Sequence, residues 1–251
     1  MTLKTDALIV RENKVGEADR FVTALTREQG LIHASARGAK SVKSRKGAAT
    51  SLLTYSRLTL TETKSGFTVS EAEPLRVFFD LKSDITAVTL AQYFCELSGV
   101  LAPREEPAEE ELRLMLNALH LLAEGKKDSR LIKAVVEWRL LAVAGYMPDL
   151  SACRRCGGAQ ALSLSLRDGS LICQNCGVGL DCYPLSETAL AALRYIAVAP
   201  AEKIFSFVVP EAELSALGAV CERFLLYRLN RGFHTLDFYH QLCEIEPKPA
   251  P

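Results

Sequence analysis

The sequence lacks most of the features that classify a protein at a glance. It has no net charge, since thirty Lys and Arg balance thirty Asp and Glu, and no global field marks it for a nucleic acid or a membrane. No uncharged apolar run approaches the roughly 20 residues of a membrane-spanning helix. Met1-Thr-Leu-Lys-Thr-Asp6 lacks the apolar stretch of a secretion signal, so a cytoplasmic protein is expected. GxGxxG, HExxH and GxSxG are absent, and Gly38-Ala-Lys40-Ser41 is no P-loop, because Ala39 and Ala34 stand where that motif needs glycines. His33, His120, His234 and His240 are scattered, with no cysteine or carboxylate at ligand spacing, and are expected to be surface or satisfied residues. Aromatics make up 7% of the chain, which leaves Tyr55 and Phe67 as the main stacking candidates near its basic segment.

Cysteine is what the sequence does have, in a telling arrangement. Cys153-Arg-Arg-Cys156-Gly157 and Cys173-Gln-Asn-Cys176-Gly177 are two C-x-x-C-G knuckles with sixteen residues between them, the spacing of a zinc ribbon. Two intervening residues let both sulfurs of a knuckle turn onto one metal, and the following glycine permits the tight turn. Asp168-Gly169 supplies a hairpin turn between the knuckles. Four thiolates fill a tetrahedral site, so one structural zinc is expected, with no open position for water or substrate. Cys182 is expected to be a buried thiol, and Cys95, Cys221 and Cys243, at helical spacing among apolar residues, to be core.

The neutral total also hides a local asymmetry. Residues 1–80 carry thirteen cations against nine acids, and from Gln29 to Thr61 there is no acid at all. Arg37, Lys40, Lys43, Arg45 and Lys46 fall within ten residues of that stretch, at a loop between strands. Such a segment suits a phosphate backbone by counterion release, and equally a solvated basic loop. Glu17 and Asp19 are expected to serve structurally beside Arg20, and the acids between Glu105 and Glu111 to open a helix.

The pattern predicts an α+β protein. Period-two segments at Ala7–Val10, Phe21–Leu25, Leu31–Ala36, Leu52–Leu60 and Phe67–Val69 predict a five-stranded barrel of the oligonucleotide-binding type over residues 1–80. After Pro74 helical spacing takes over, so residues 81–251 are expected to form a helical domain with the zinc finger embedded at about 150–182. Within it a helix is expected over Leu131–Tyr146, a second from an N-cap at Ser186 to about Ala199, and a third from Pro210 to about Asn230.

Taken together, Ala7-Leu-Ile-Val10, Glu17-Ala-Asp19-Arg20, Thr26-Arg-Glu-Gln-Gly30, Ala36-Arg-Gly-Ala-Lys40 with Ser44-Arg45, and Glu71-Ala-Glu-Pro-Leu75 resemble the RecO family of recombination mediators, over nearly the whole chain. The resemblance implies a barrel that contacts single- and double-stranded DNA, a non-enzymatic strand-annealing activity, and help in loading RecA onto DNA coated by single-stranded DNA-binding protein (SSB), together with RecR. It implies a bacterial, nucleoid-associated protein, with the acidic C-terminal tail of SSB docking on the helical domain. The DNA contacts it implies are Arg37, Lys40, Lys43, Arg45 and Lys46, with Arg20 from its own motif. Arg130, Lys133 and Arg139, at helical spacing, are either a receptor for that acidic tail or a solvated face. A metal-dependent nucleic-acid enzyme, and a zinc-ribbon scaffold for an acidic protein, stay open as alternatives.

Overall fold

Alternation along the N-terminal segments builds five strands, β1 (Thr2–Val15), β2 (Asp19–Thr26), β3 (Gly30–Ala36), β4 (Thr54–Thr63) and β5 (Gly66–Val77). They close into the expected barrel, in the order β1-β2-β3-β5-β4. The structure is a computed structural model and describes residues 2–41, 44, 46–64, 66–160 and 162–245. All neighbours run antiparallel except β3 and β5, where Ala34 and Ser35 pair with Phe67 and Thr68 in parallel. One alternate set of side chains, including Ile9, Val22, Ala24, Ile32, Ala34 and Leu60, forms the buried interior. A single helical turn, α1 (Lys46–Ala49), packs on β4 and β5.

Pro74 does not start the helical region. It sits inside β5, opposite Ser56, at a place where the register with β4 skips a residue. A bulge tolerates a residue without an N–H, so the strand runs on to Val77.

Two compact units follow from the packing. The first holds the barrel together with α2 (Ile85–Leu101), α3 (Glu109–Glu124) and α7 (His234–Ile245). The expected division at residue 80 and this compact unit are different cuts, because α2, α3 and α7 pack with the barrel. Asp84 caps α2 by accepting from the N–H groups of Thr86 and Ala87, and Glu109, Glu110 and Glu111 occupy the first turn of α3, as the acid run predicts. α7 packs on α2, with the Tyr93 and Phe233 rings edge to face at 5.7 Å.

The outer face of the barrel explains why these helices stay with it. Register jumps from Ile9 opposite Ala24 to Arg11 opposite Thr23, leaving Val10 as the extra residue of a bulge. Before the bulge, Leu8 pairs with Leu25 and Leu25 with Leu31, a row of three on the outer face. All three are buried, because α2 and α3 cover this end of the sheet. Burying such a row contributes roughly 5–9 kcal/mol before entropy is counted.

Backbone hydrogen bonds lock the same contact. The N–H groups of Leu31, Glu105 and Ala108 donate to the carbonyls of Pro103 (2.8 Å), Gln29 (3.1 Å) and Arg27 (2.9 Å). Gly30, at the centre, has φ +60°, and a Cβ there would lie 2.2 Å from the Pro103 oxygen.

The second unit, Lys127–Gly232, contains α4 (Ser129–Val143), a small sheet in the order β6 (Asp149–Cys153), β8 (Ser170–Ile172), β7 (Ser163–Ser165) and β9 (Tyr183–Pro184), then α5 (Glu187–Val198) and α6 (Glu211–Leu229). Ser186 caps α5 at the Ala189 N–H, and Asn230 ends α6 in the left-handed region. Trp138 of α4 is fully buried, 5.3 Å from the Phe224 ring, with its Nε1–H donated to the Leu193 carbonyl at 3.0 Å.

Two expectations fail in the helices. Arg130, Lys133 and Arg139 do not make one solvated cationic face, because Lys133 is buried. Ten of the fifteen residues of α4 are buried, so the helix has little solvated surface to offer. Lys133 is 5% exposed and lies between Glu137 (2.7 Å) and Glu222 (2.6 Å). Burial alone would push its amine toward neutrality, but the two carboxylates hold its pKa above the ordinary lysine value. Arg130 pairs with Asp128 at 2.6 Å and reaches Glu211, while Arg139 donates to the Ile196 and Ala197 carbonyls at the end of α5. The other failure is Cys243, which is exposed because α7 buries only Leu236 and Tyr239; Cys95 and Cys221 are core as expected.

Replacing Gly30 by Ala is expected to lower stability by at least about 2 kcal/mol, from left-handed strain plus a backbone collision. Gly38→Ala, at φ +67° in open space, should cost only about 1 kcal/mol. Denaturant midpoints of the two variants measure the difference, and equal losses would refute the clamp.

Candidate functional site

Both knuckles fold into the same turn. Gly157 N–H donates to the Cys153 carbonyl (2.8 Å), and Gly177 N–H to the Cys173 carbonyl (2.9 Å). The hairpin of β7 and β8 carries the second knuckle back to the first, so that the sulfurs of Cys153, Cys156, Cys173 and Cys176 all lie within 4.8 Å of one another. The Sγ atoms of Cys156 and Cys173 are 3.7 Å apart, against about 3.8 Å for the edge of a tetrahedron with metal–sulfur bonds of about 2.3 Å.

Their chemistry fits a cation too. Backbone N–H groups, first that of Cys173 at 3.3 Å and then that of Cys156, draw the Cys153 thiol down to about 6. The neighbouring thiols of Cys173 and Cys156, followed by burial, push Cys176 up to about 12. Four thiolates cannot share this space unaided, and a divalent ion at their centre is what would let all four ionise. Cys182 stands outside the cluster and is half-buried, more open than the buried thiol expected.

The ribbon is tied firmly into its unit. Arg194 of α5 donates through Nε to the Leu150 carbonyl (2.9 Å), and Arg223 of α6 stacks over the Tyr183 ring at 5.1 Å. Arg155, inside the first knuckle, donates to the Cys176 carbonyl at 3.0 Å.

In the barrel unit, the basic segment divides into cations with different duties. Arg37 is exposed in the turn after β3. Lys40 is half-buried and its Nζ donates to the Gly16 carbonyl (2.7 Å), which ties the segment to the β1–β2 turn. Lys46 donates to the Val69 carbonyl (2.8 Å) and lines a groove of about 790 Å³ with Lys4, Arg57, Glu71 and Glu73. Lys43 and Arg45 lie outside the described residues.

Arg20 is no surface cation. Only 8% exposed, it donates to the Gly47 carbonyl (2.8 Å) and to the Thr50 and Ser51 hydroxyls (3.1 Å each), and pairs with Glu12 at 3.5 Å. Its charge holds α1 to the barrel. Asp19, as expected, is structural, accepting from the Gly38 N–H at 2.8 Å.

Neither aromatic singled out from the sequence is an open platform. Phe67 is packed against the barrel interior, and Tyr55 is half-buried, with burial first and Asp6 second raising its phenol pKa. Phe21 of β2, which that reading passes over, is 48% exposed. The alternation of Phe21, Thr23 and Leu25 places them on one face, but whether that face is covered depends on α2 and α3, far along the chain.

A thiol-reactive probe should distinguish the eight cysteines. In native protein Cys182 and Cys243 should react promptly, a strong chelator should release the four clustered thiols, and Cys95 and Cys221 should wait for unfolding. Prompt reaction of the cluster without chelator would show that it holds no metal.

Comparison with known proteins agrees with this architecture. Residues 1–78 match the family model for the N-terminal part of recombination protein O, and residues 82–237 match that for its C-terminal part. The DNA repair protein RecO of Acetivibrio thermocellus is 33% identical over 247 residues, covering 97% of this chain and 98% of that protein. The protein of the same name from Alkaliphilus metalliredigens is 27% identical over 242 residues, covering 94% and 98%, and that of Bacillus pumilus 32% over 197 residues, covering 77% and 76%. Matched by both family models and aligned nearly end to end with its relatives, the chain belongs to the RecO family of DNA repair proteins.

Proposed function

We propose that this chain is a non-enzymatic mediator of recombinational repair. In this reading the barrel binds single- and double-stranded DNA and anneals complementary strands. With RecR, the protein helps load RecA onto DNA coated by SSB, whose acidic tail docks on the helical part. The work takes place at the bacterial nucleoid, in the cytoplasm; among the described residues no helix is long and apolar enough to cross a membrane.

The observation that carries the proposal is the acid-free cationic segment at the barrel, in a chain of the RecO family. Arg37, Lys43 and Arg45 are assigned to phosphates. Lys40 and Lys46 contribute through the half of each side chain that their carbonyl contacts leave open, and Arg20 contributes by fixing α1. The metal is assigned as zinc, held by Cys153, Cys156, Cys173 and Cys176. Four soft thiolates within 4.8 Å of one another suit that ion and would fill its coordination sphere, which makes the role structural. Of the three cations at helical spacing in α4, Lys133 is buried between two carboxylates and is not assigned to the tail of SSB.

The test is salt-dependent binding to a labelled oligonucleotide. The triple variant Arg37→Glu, Lys43→Glu, Arg45→Glu is expected to bind at least about tenfold more weakly. Its log–log salt slope on a single strand should flatten by about 0.7 for each phosphate that is no longer neutralised, with thermal stability unchanged. Annealing of complementary strands should fall in parallel. Wild-type affinity in that variant would sink the assignment.

A further inference from the structure

Beyond the bulge at Val10, the outer face of β1, β2 and β3 is open. Two rows cross it: Arg11, Thr23 and His33, then Asn13, Phe21 and Ser35. This is the same face whose first row, Leu8, Leu25 and Leu31, is sealed under α2 and α3. Phe21 stands in the middle strand with 48% of its surface in water. Directly across from it are Asn13 and Ser35, too short to cover a phenyl ring.

What surrounds the ring is mostly polar, with the exposed Val15 in the next row as the apolar neighbour. Arg11, exposed in the adjoining row, is placed by strand geometry within about 10 Å of Phe21, and Arg37, also exposed, lies in the turn just past the end of β3. The His33 ring is steadied by the Thr23 hydroxyl at 3.1 Å. Carboxylates are turned to other duties: Glu12 accepts from the Leu52 N–H (2.9 Å) and pairs with Arg20, and Asp19 accepts from Gly38. Glu17, in the β1–β2 turn, is the exposed acid at the edge.

An exposed aromatic ring with cations nearby offers an unpaired base a face to stack on and its flanking phosphates a counter-charge. A base inside a duplex is already stacked on both sides and cannot use such a ring. We propose that Phe21 is a base-stacking residue for single-stranded DNA, with Arg11 and Arg37 taking the flanking phosphates, and that this face sets the preference of the barrel for single strands over duplex. The inference rests on the DNA-binding reading above and adds to it a residue that recognises unpaired bases.

Affinities of the full chain for an oligothymidine, the same strand with abasic sites, and a duplex test it. Phe21→Ala should weaken oligothymidine binding roughly tenfold and leave the duplex unchanged. It should also bind abasic and normal strands alike, whereas wild type prefers the normal strand. Phe21→Trp should retain affinity and show indole fluorescence quenched by oligothymidine but not by the abasic strand, a readout that does not depend on the alanine variant folding. Normal oligothymidine affinity in Phe21→Ala, or equal losses on strand and duplex, overturns the proposal and leaves DNA binding standing. Failure of wild type to bind any of the three overturns the DNA-binding reading itself.

Discussion

The arrangement of the barrel unit depends on the contact centred on Gly30, where the turn between β2 and β3 meets the loop between α2 and α3 backbone to backbone. Because main-chain groups make that contact, it tolerates almost any side chain except one at Gly30 itself, where a Cβ has no room beside Pro103. The clamp sets α2 and α3 over one end of a sheet face, and the three leucines of that end complete the seal. The other end of the same face is left to water. A single packing decision therefore creates both the hydrophobic anchor of the barrel and the open half of the same face.

Charge follows the same logic of position over identity. Arg20 and Arg37 are two cations of the same barrel, yet one is buried among hydroxyls and a carbonyl that fix α1, and the other is exposed in a turn. Lys133, on an ordinary-looking helix, ends between two carboxylates in a nearly dry site. Removing one partner from such a cluster leaves an uncompensated buried charge, which is why these groups constrain the fold without advertising a ligand.

The cysteine cluster is the counterpart in the second unit. Its two knuckles are local turns, but the ribbon as a whole is held by arginines from α5 and α6 that reach its carbonyls and its tyrosine. A cation would reconcile the four crowded thiols of the site, and a tetrahedral ion would leave it no free coordination position. Its contribution is to keep a short sheet with little core of its own attached to the helices.

The sequence alone determined whatever is local. The two C-x-x-C-G knuckles, the period-two segments of the barrel, the caps at Ser186 and Asn230 and the acid-free stretch are written in neighbouring residues, because turns, caps and alternation act over a few positions. Tertiary structure decided the rest: that Pro74 sits in a bulge, that Arg20 turns inward, that α4 is buried nearly all round, and that Leu25 is covered while Phe21, four residues before it on the same face, is not. Exposure is set by what packs against a face, and the helices that cover this one come from residues 85–124, far from the strand whose surface they divide.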